Sequence, residues 1–329
     1  MKNHTSFKIG GKVSFFVEVQ KTEKMILLLE QCKQLGVKFI IIGNGTNILF
    51  SDKKQKMVVI KPNNKNIFAV DNIVYCEAGV SLFALNMFAA KNNLSGLEWS
   101  YGIPGSVGGA VVMNAGSFGG EIADVVDTVS FISGNKLKTL SGKDLKFGYR
   151  HSIFQEKDFV VISVSFRLKK GNKDDIMQQC IFHLEQRKTK QPYNQFSAGS
   201  VFKRPGKTFA PVLIEKSGLK GYRVGDAVVS NKHCGFVINQ NNAKFSDVLK
   251  IIYKIKKTVY EKFDIMLEEE IKIIGDRNGN LGRLSYPYNT QQKKMVSKET
   301  RKRDTWRQCE NGCWVGFERN CNYGPRFQS

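Results

Sequence analysis

The spacing of apolar residues predicts alternating helices and strands in the first third of the chain. Apolar side chains recur at helical spacing from Met25 onward, which predicts a helix capped by Thr22 and ended by Gly36. Residues 37–42 are apolar except for Lys38 and predict a largely buried strand. The same criteria predict two further strands and a helix at residues 57–60, 73–76 and 81–93.

The middle of the chain changes from strand to helix. A hairpin and one more strand are predicted at residues 125–132, 136–140 and 159–168. The composition changes at residues 169–172, which we interpret as a domain boundary. An amphipathic helix follows and ends before Pro192, and a last amphipathic helix is predicted at residues 246–263.

Alternation at residues 265–274 predicts a terminal strand that contains three consecutive glutamates. One face would carry Leu267, Glu269, Ile271 and Ile273, and the other Met266, Glu268, Glu270 and Lys272. A carboxylate among apolar neighbours costs free energy unless it is paired or protonated, so this strand is a candidate functional element. An exposed edge strand would remove that cost, and a period of two does not choose between Glu268 and Glu270.

The composition is typical of a globular protein with two or three domains. The 329 residues are 41% hydrophobic, and no apolar stretch approaches the roughly twenty residues of a membrane span. Residues 1–6 lack the apolar segment of a signal peptide, so we expect a cytoplasmic protein with reduced cysteines. Cys309, Cys313 and Cys321 lack the paired spacing of a zinc site, and we expect no metal.

The net charge of +22 is compatible with a nucleic-acid partner or with an anionic small substrate. The lysines are spread over the whole chain rather than massed on one helix, so we expect no nucleic-acid partner for the core. Residues 276–329 contain eleven Lys and Arg against five Asp and Glu, with almost no aliphatic clusters. They predict a weakly ordered basic tail of unknown role.

Seven of the nineteen residues at 102–120 are glycine, with apolar residues between them. Apolar side chains pack while glycines expose amide groups, so such a run can wrap an elongated ligand that carries phosphates. A tight turn inside a β-domain is equally compatible with this composition. The Gly-Asn-Gly-Thr-Asn turn at residues 43–47 also presents amides and a hydroxyl, without the helix and acidic residue of a Rossmann site.

Two further segments concentrate polar residues. Arg150, between Tyr149 and His151, is suited to clamp a carboxylate because a guanidinium offers a bidentate fork, although a surface arginine gives the same pattern. A cationic helix end leads into a small-residue turn that carries Ser200, which suggests a diphosphate beside a reactive hydroxyl or a solvated helix end. The cations concerned are Arg187, Lys188, Lys190, Lys203 and Arg204.

In this order, these segments resemble one family, the UDP-N-acetylenolpyruvoylglucosamine reductases. The motifs that carry the resemblance lie at residues 5–11, 43–47, 102–109, 113–116, 149–152, 197–202, 218–233 and 271–275. The connection at 192–200 resembles the shorter subtype, which lacks an inserted tyrosine-bearing loop. Asn44 and Thr46 depart from the Gly and Ser common in the family, but amides and a hydroxyl remain.

The resemblance implies an α+β protein with a vanillyl-alcohol-oxidase-type (PCMH-type) FAD-binding domain and a smaller α/β substrate-binding domain. The first domain would span residues 1–170 in two subdomains split near residue 61, the second would span 171–275, and the basic tail would span 276–329. The FAD contacts that the resemblance implies are Gly43, Asn44, Gly45, Thr46, Asn47, Gly102, Pro104, Gly105, Ser106, Gly109, Asn114 and Gly116.

The same resemblance implies NADPH-dependent reduction of UDP-N-acetylglucosamine enolpyruvate to UDP-N-acetylmuramate. This is a step of peptidoglycan synthesis, and hence of cell wall biogenesis, cell shape and cell division. NADPH would reduce the flavin, and hydride would pass from flavin N5 to the enolpyruvyl C3. Ser200 would give a proton to C2, and Arg150 and Glu270 would stabilise the enolate. Lys190, Lys203 and Lys272 are candidates for contact with the UDP diphosphate or sugar. We expect a monomer.

Two alternative functions remain open at this point. Another FAD oxidoreductase of the same fold, such as an alcohol oxidase, often holds its flavin covalently through His or Cys, and the flavin-binding runs contain no His. The second alternative is a nucleic-acid-binding protein, indicated by the charge and the basic tail. A yellow protein that releases flavin on denaturation favours the reductase, whereas a colourless protein that binds RNA with steep salt dependence favours nucleic-acid binding.

Overall fold

The computed structural model describes residues 1–156, 159–275, 307–308 and 314–315. Residues 1–282 form one unit and residues 283–329 form a second. In the second unit, the described residues are two short antiparallel strands at Arg307–Gln308 and Trp314–Val315. The rest of the predicted basic tail, 276–329, lies outside the described residues, as do Cys309, Cys313 and Cys321.

The first unit mixes helices and strands along its length. Its helices are α1 Thr22–Gln34, α2 Leu82–Lys91, α3 Val107–Val112, α4 Ile153–Glu156, α5 Lys173–Lys190, α6 Ala210–Lys216 and α7 Phe245–Phe263. Its strands are β1 Val13–Val19, β2 Phe39–Ile41, β3 Ile48–Phe50, β4 Gln55–Pro62, β5 Ile67–Val70, β6 Ile73–Glu77, β7 Leu94–Ser95, β8 Gly116–Ser117, β9 Gly120–Glu121, β10 Val126–Ser133, β11 Lys136–Ser141, β12 Val160–Arg167, β13 Lys169–Lys170, β14 Phe196–Ser200, β15 Arg223–Val224, β16 Ala227–Val229, β17 Phe236–Asn239 and β18 Lys272–Ile274.

A three-stranded parallel sheet, in the order β1-β4-β2, opens the fold. Helix α1 packs on it because Met25, Leu29 and Cys32 share one face of the helix and are buried with Ile60 of β4. Both β2 and β4 end near the turn at residues 43–47. This turn therefore lies at the carboxyl edge of a parallel sheet, a common place for ligands.

A large core lies beneath a five-stranded antiparallel sheet, in the order β11-β10-β12-β6-β5. Helices α2 and α3 pack against it through apolar side chains that are fully buried. Each of these helices begins at a serine whose Oγ accepts an amide hydrogen bond: Ser81 from Ala84 at 3.1 Å and Ser106 from Gly109 at 3.3 Å. Ser106, which caps α3, lies inside the glycine-rich run, so the start of the helix is fixed within that run.

A third sheet of four antiparallel strands, in the order β14-β17-β16-β15, is covered by α7. The predicted inward face of α7 is confirmed, since Leu249, Ile252, Ile255 and Val259 are buried. One short parallel pair then connects distant parts of the chain: Lys272–Ile274 lies beside Ile48–Phe50. This pairing brings the three glutamates next to the turn at residues 43–47.

The structure corrects several sequence predictions. The helix predicted to be capped by Thr22 begins at Thr22, with Lys21 preceding it, and the strand predicted at 37–42 is limited to Phe39–Ile41. The boundary predicted at 169–172 includes strand β13, which pairs with β7. The patterns did not predict several elements, which are β1, β3, β5, β7, α3, the β8–β9 hairpin, α4, α6 and the strands β14 to β17.

The terminal strand predicted at 265–274 is regular only at Lys272–Ile274. Before it, Glu269 makes a single bridge to Phe202, because the chain there follows the segment after β14 rather than one long strand. The alternation of burial still holds locally, since Leu267 and Ile271 are buried and Glu268 is exposed. No helix among the described residues is long and apolar enough to span a bilayer.

Candidate active site

Arg150 lies on a tight turn and has a φ of 55°, in the left-handed region that few side chains other than glycine adopt. Gly148 and His151 close the turn with two backbone hydrogen bonds of 3.1 and 3.0 Å. Asn114 Nδ2 donates to the Gly148 carbonyl at 3.0 Å, and Gln155 Nε2 donates to the Arg150 carbonyl at 2.9 Å. The surroundings therefore maintain an unfavourable backbone conformation, as is common at functional sites.

The Arg150 guanidinium contacts two acceptors from distant segments. Nε donates to Glu270 Oε1 at 2.8 Å, and Nη2 donates to the Gly116 carbonyl at 3.0 Å. The Arg150 and Glu270 side chains are 22% and 15% exposed, so water screens this ion pair incompletely. One cation thus links the glycine-rich run to the terminal glutamates.

A backbone hydrogen bond places the segment that carries Ser200 next to Glu270. The Glu270 amide donates to the carbonyl of Val201, the residue after Ser200, at 2.8 Å. Asn47 Nδ2 donates to the Glu270 carbonyl at 3.2 Å. The Ser200 hydroxyl makes one long hydrogen bond, 3.4 Å, to the Phe202 carbonyl. The structure therefore brings the three predicted catalytic residues into one neighbourhood.

The three glutamates have different partners. Glu268 is exposed and bonds to Lys203 Nζ at 2.6 Å, whereas Glu269 bonds to the buried Lys256 at 3.1 Å. Burial raises the pKa of Glu270, and this outweighs the opposing effects of Arg150 and Lys203. Of the three glutamates, Glu270 is the one that contacts Arg150, a distinction that the alternation of residues could not make.

We expect the pH dependence of protein stability to show that the pKa of Glu270 is raised in the folded state. A raised pKa in the folded state contributes stability that is fully present below the unfolded pKa and is lost as pH rises through the folded pKa. Urea unfolding of Glu270→Gln at pH 4.5 and 7.5 should therefore show the variant gaining stability relative to the parent chain at the higher pH. Glu268→Gln, an exposed control, should show no such trend. An equal change in both variants would contradict the assignment.

The two glycine-rich segments touch at Gly43. A Cβ at this position would lie 2.2 Å from Ser106 Oγ, so a side chain there would separate the two segments. The amides of Asn44, Gly45 and Thr46 donate no hydrogen bond to any described residue. Unpaired amides in a turn at a sheet edge suit the oxygens of a phosphate.

A polar cavity of about 280 Å³ opens beside this turn. It is lined by Asn3, His4, Thr5, Ser6, Lys8, Gly43, Asn44 and Lys61. Ser6 fixes one wall, since its amide donates to the Gly45 carbonyl at 3.1 Å and its Oγ donates to the Ser197 carbonyl at 2.6 Å. Free amides and two lysines fit the diphosphate of FAD. Sequence reasoning did not select His4, Ser6, Lys8 or Lys61, although residues 5–11 were among the family motifs.

Gly43→Ala should weaken FAD binding about tenfold or more. Overpacking of this kind costs about 1–3 kcal/mol, and 1.4 kcal/mol is a factor of ten in affinity. The measurement is a titration of apoprotein with FAD, followed by flavin fluorescence. Gly36→Ala is the control, at the other end of β2 from the turn. Its φ of +61° makes the substitution strained, but a Cβ there would contact no other atom, so the variant should retain FAD affinity. Normal FAD affinity in Gly43→Ala would contradict the fit.

The candidate substrate lysines differ in their surroundings. Lys203 lies next to the site, because its amide donates to the Glu268 carbonyl at 2.9 Å and it acts electrostatically on Glu270. Lys272 is exposed on β18, two residues from Glu270, and Lys190 is exposed at the end of α5. No contact among the described residues joins the three lysines, so their common role stays a prediction.

Arg187 was a candidate cation beside Ser200, and its contacts in the structure are with residues before and within the glycine-rich run. It is 5% exposed, and it donates to the Trp99 carbonyl at 2.8 Å and to the Tyr101 carbonyl at 3.1 Å. Of the two alternatives left open for this segment, a solvated helix end is therefore excluded for Arg187. The sequence pattern was compatible with an outward-facing Arg187 only if that face of α5 were solvated. In the structure, α5 packs on residues 98–100, just before the glycine-rich run.

Comparisons with known proteins agree with this geometry. An FAD-binding domain family matches residues 13–137, and the family "UDP-N-acetylenolpyruvoylglucosamine reductase, C-terminal domain" matches residues 191–274. The fold and the site thus define an FAD-dependent oxidoreductase with a PCMH-type flavin domain and a separate C-terminal domain.

Relatives identify the particular family. The UDP-N-acetylenolpyruvoylglucosamine reductase of Clostridium novyi is 44% identical over 282 residues, which cover 85% of this chain and 92% of the relative. That of Caldanaerobacter subterraneus is 44% identical over 279 residues, covering 84% and 92%. The crystal structure of the Thermus caldophilus enzyme superposes with a TM-score of 0.73 at 33% identity, covering 83% of this chain and 97% of that one. The chain belongs to the UDP-N-acetylenolpyruvoylglucosamine reductase family.

These comparisons confirm the predicted family, the α+β class and FAD as cofactor. They do not test the domain boundaries or the individual site residues, which stay predictions. When bound, FAD would lie along the turn at 43–47 and the start of α3.

Proposed function

We propose that this chain reduces UDP-N-acetylglucosamine enolpyruvate to UDP-N-acetylmuramate at the expense of NADPH, in peptidoglycan precursor synthesis. The observation that carries the proposal is the 2.8 Å hydrogen bond from Arg150 to Glu270, beside the strand that ends at Ser200. Relatives named for this reductase cover most of the chain. When bound, FAD supplies the hydride that the enolpyruvyl group accepts.

Arg150 is placed to stabilise the anion that develops as hydride arrives. Negative charge builds at C2 of the enolpyruvyl group and spreads into its carboxylate. A preorganised cation in a poorly solvated site stabilises such charge without reorganising during the reaction. The Gly116 carbonyl and Glu270 hold the Arg150 guanidinium in place before substrate enters.

Ser200 is the proton donor in this proposal, and Glu270 assists. A serine hydroxyl is a weak acid, so it transfers a proton to C2 only where water is excluded and the accepting carbon carries charge. The raised pKa of Glu270 increases its protonated fraction near neutral pH. A protonated carboxyl can donate a hydrogen bond to the enolate.

The remaining assignments follow the same chemistry. Residues 1–170 would bind FAD and residues 171–275 would bind substrate, with Lys190, Lys203 and Lys272 available to the anionic UDP moiety. Five residues, 191–195, connect α5 to β14, which supports the shorter subtype without an inserted loop. We also propose that the protein acts as a cytoplasmic monomer.

The test is NADPH oxidation by flavin-loaded protein, measured with and without UDP-N-acetylglucosamine enolpyruvate. We expect a substrate-dependent rate and UDP-N-acetylmuramate as product by mass spectrometry. NADH in place of NADPH measures the cofactor preference. A flavin-loaded sample with no substrate-dependent rate would overturn the proposal.

A further inference from the structure

Arg187 is a buried cation that bonds to backbone carbonyls. It lies on α5, and no carboxylate among the described residues forms a salt bridge with it. Burial lowers the pKa of Arg187 to about 10, and the guanidinium stays charged at neutral pH. Burying a charge is costly, so a cation maintained here without an acidic partner calls for a role other than stability.

The first contacts of Arg187 hold the start of the glycine-rich run. Nη2 donates to the Trp99 carbonyl at 2.8 Å and Nε donates to the Tyr101 carbonyl at 3.1 Å. The next residue, Gly102, has a φ of +85°, and a Cβ on it would lie 3.2 Å from Arg187 Cδ. The arginine therefore packs directly on the backbone where the run begins.

Arg187 also holds the tip of the β8–β9 hairpin, inside the same run. Its guanidinium carbon lies 4.8 Å from the centroid of the Phe118 ring, and His183 stacks on that ring at 5.0 Å. Phe118 and Gly119 form the hairpin turn with φ values of 52° and 87°. A positive φ is unfavourable for a bulky residue, so the stacked groups maintain this turn.

The hairpin carries the contact to Arg150. Gly116 of β8 is the carbonyl that accepts from Arg150 Nη2 at 3.0 Å. On β9, a Cβ on Gly120 would lie 2.4 Å from the Trp99 ring, so the hairpin also packs closely on Trp99. Arg187 thus contacts both Trp99, on which the hairpin packs, and Phe118 in the hairpin turn.

We propose that Arg187 is a positioning residue for the reaction: it fixes the β8–β9 hairpin so that the Gly116 carbonyl orients Arg150 toward Glu270. The inference rests on the proposed function. Arg187 acts on the reacting atoms only through this chain of contacts. Loss of the Arg187 side chain frees the hairpin and moves Gly116, and Arg150 then loses one of its two acceptors.

The expected pH dependence of the reaction follows from the charged groups around Glu270 and Arg187. Arg150 and Lys203 both lower the pKa of Glu270, against its burial. His183 and Tyr193 are the titratable groups that face Arg187. If Arg150 moves away from Glu270, the pKa of Glu270 rises further. A rate that requires protonated Glu270 falls as pH rises through that pKa, so its falling limb moves to higher pH.

The experiment compares Arg187→Met and Phe118→Leu with the parent flavin-loaded enzyme. A misplacement of about 1 Å in a catalytic group can cost about 10²-fold, so we expect kcat to fall by up to that factor in Arg187→Met, with a smaller fall in Phe118→Leu. The falling limb of kcat should move to higher pH in both. Arg187→Lys should recover little, because an ammonium lacks the planar fork that holds two carbonyls and a ring.

Cys180→Ala, from the buried face of the same helix, is the control for lost packing. It should lower the Tm and leave the pH profile unchanged. In an Arg150→Met background, Arg187→Met should cause no further shift in the falling limb of the kcat profile, because Arg187 acts through Arg150. Arg187→Met and Phe118→Leu variants with the parent's kcat and pH profile would overturn the inference. Absence of a substrate-dependent rate in the parent enzyme would instead overturn the proposed function.

Discussion

Ser200→Ala is expected to leave reduction of the bound flavin by NADPH intact and to slow its reoxidation by substrate about 10²–10⁴-fold. This range is typical when a positioned proton donor is removed. The hydroxyl has one weak hydrogen bond, 3.4 Å to the Phe202 carbonyl, so its loss should disturb the strand little. Stopped-flow absorbance at the flavin band separates the two half-reactions.

Ser197→Ala is the matched control for this experiment. It lies in the same strand, and its main-chain carbonyl rather than its side chain accepts the hydrogen bond from Ser6. It should therefore retain both half-reactions. If Ser200→Ala loses flavin reduction by NADPH while reoxidation is normal, Ser200 is not the proton donor.

Arg150→Met should lower the rate of flavin reoxidation about 10²–10³-fold, the usual cost of removing one preorganised stabiliser of a developing anion. Arg150 also lowers the pKa of Glu270, so its removal should move the falling limb of the pH profile to higher pH. Single-turnover reoxidation from pH 6 to pH 9 measures both effects. Arg150→Lys should recover part of the rate, since it keeps the charge without the bidentate fork.

Arg167→Met controls for the loss of an arginine in an ion pair. Arg167 bonds to Asp127 at 2.8 Å on the surface, with 57% of its side chain exposed. Such exposed pairs contribute about 0–1 kcal/mol, so reoxidation should be unchanged. A deficit in Arg167→Met as large as that in Arg150→Met would show that the effect is not local to the site.

The spacing of apolar residues correctly predicted most of the longer helices and strands, in which apolar side chains repeat along one buried face. Helix α7 was predicted to within one residue of its start, since its apolar residues repeat at helical spacing over nineteen positions. The five-stranded sheet was partly predicted for the same reason. The short strands β14 to β17 were not predicted, because segments of two to five residues are too short to show a period.

The site depends on contacts that no local pattern contains. The sequence motifs pointed to Arg150, Ser200 and Glu270, but their proximity depends on the pairing of β18 with β3 and on the bridge beside Val201. The burial of Arg187 was not predicted, because it is determined by α5 packing on residues 99–102. Side chains that act across more than eighty residues of sequence require the tertiary structure.

The pairing of Lys272–Ile274 with Ile48–Phe50 also determines when the protein acquires its chemistry during synthesis. The turn at residues 43–47 is synthesised early, whereas Glu270, the partner of Arg150, follows more than two hundred residues later. A nascent chain shorter than 270 residues has Arg150 without its partner. The Arg150–Glu270 pair can therefore form only after nearly all of residues 1–275 have been synthesised.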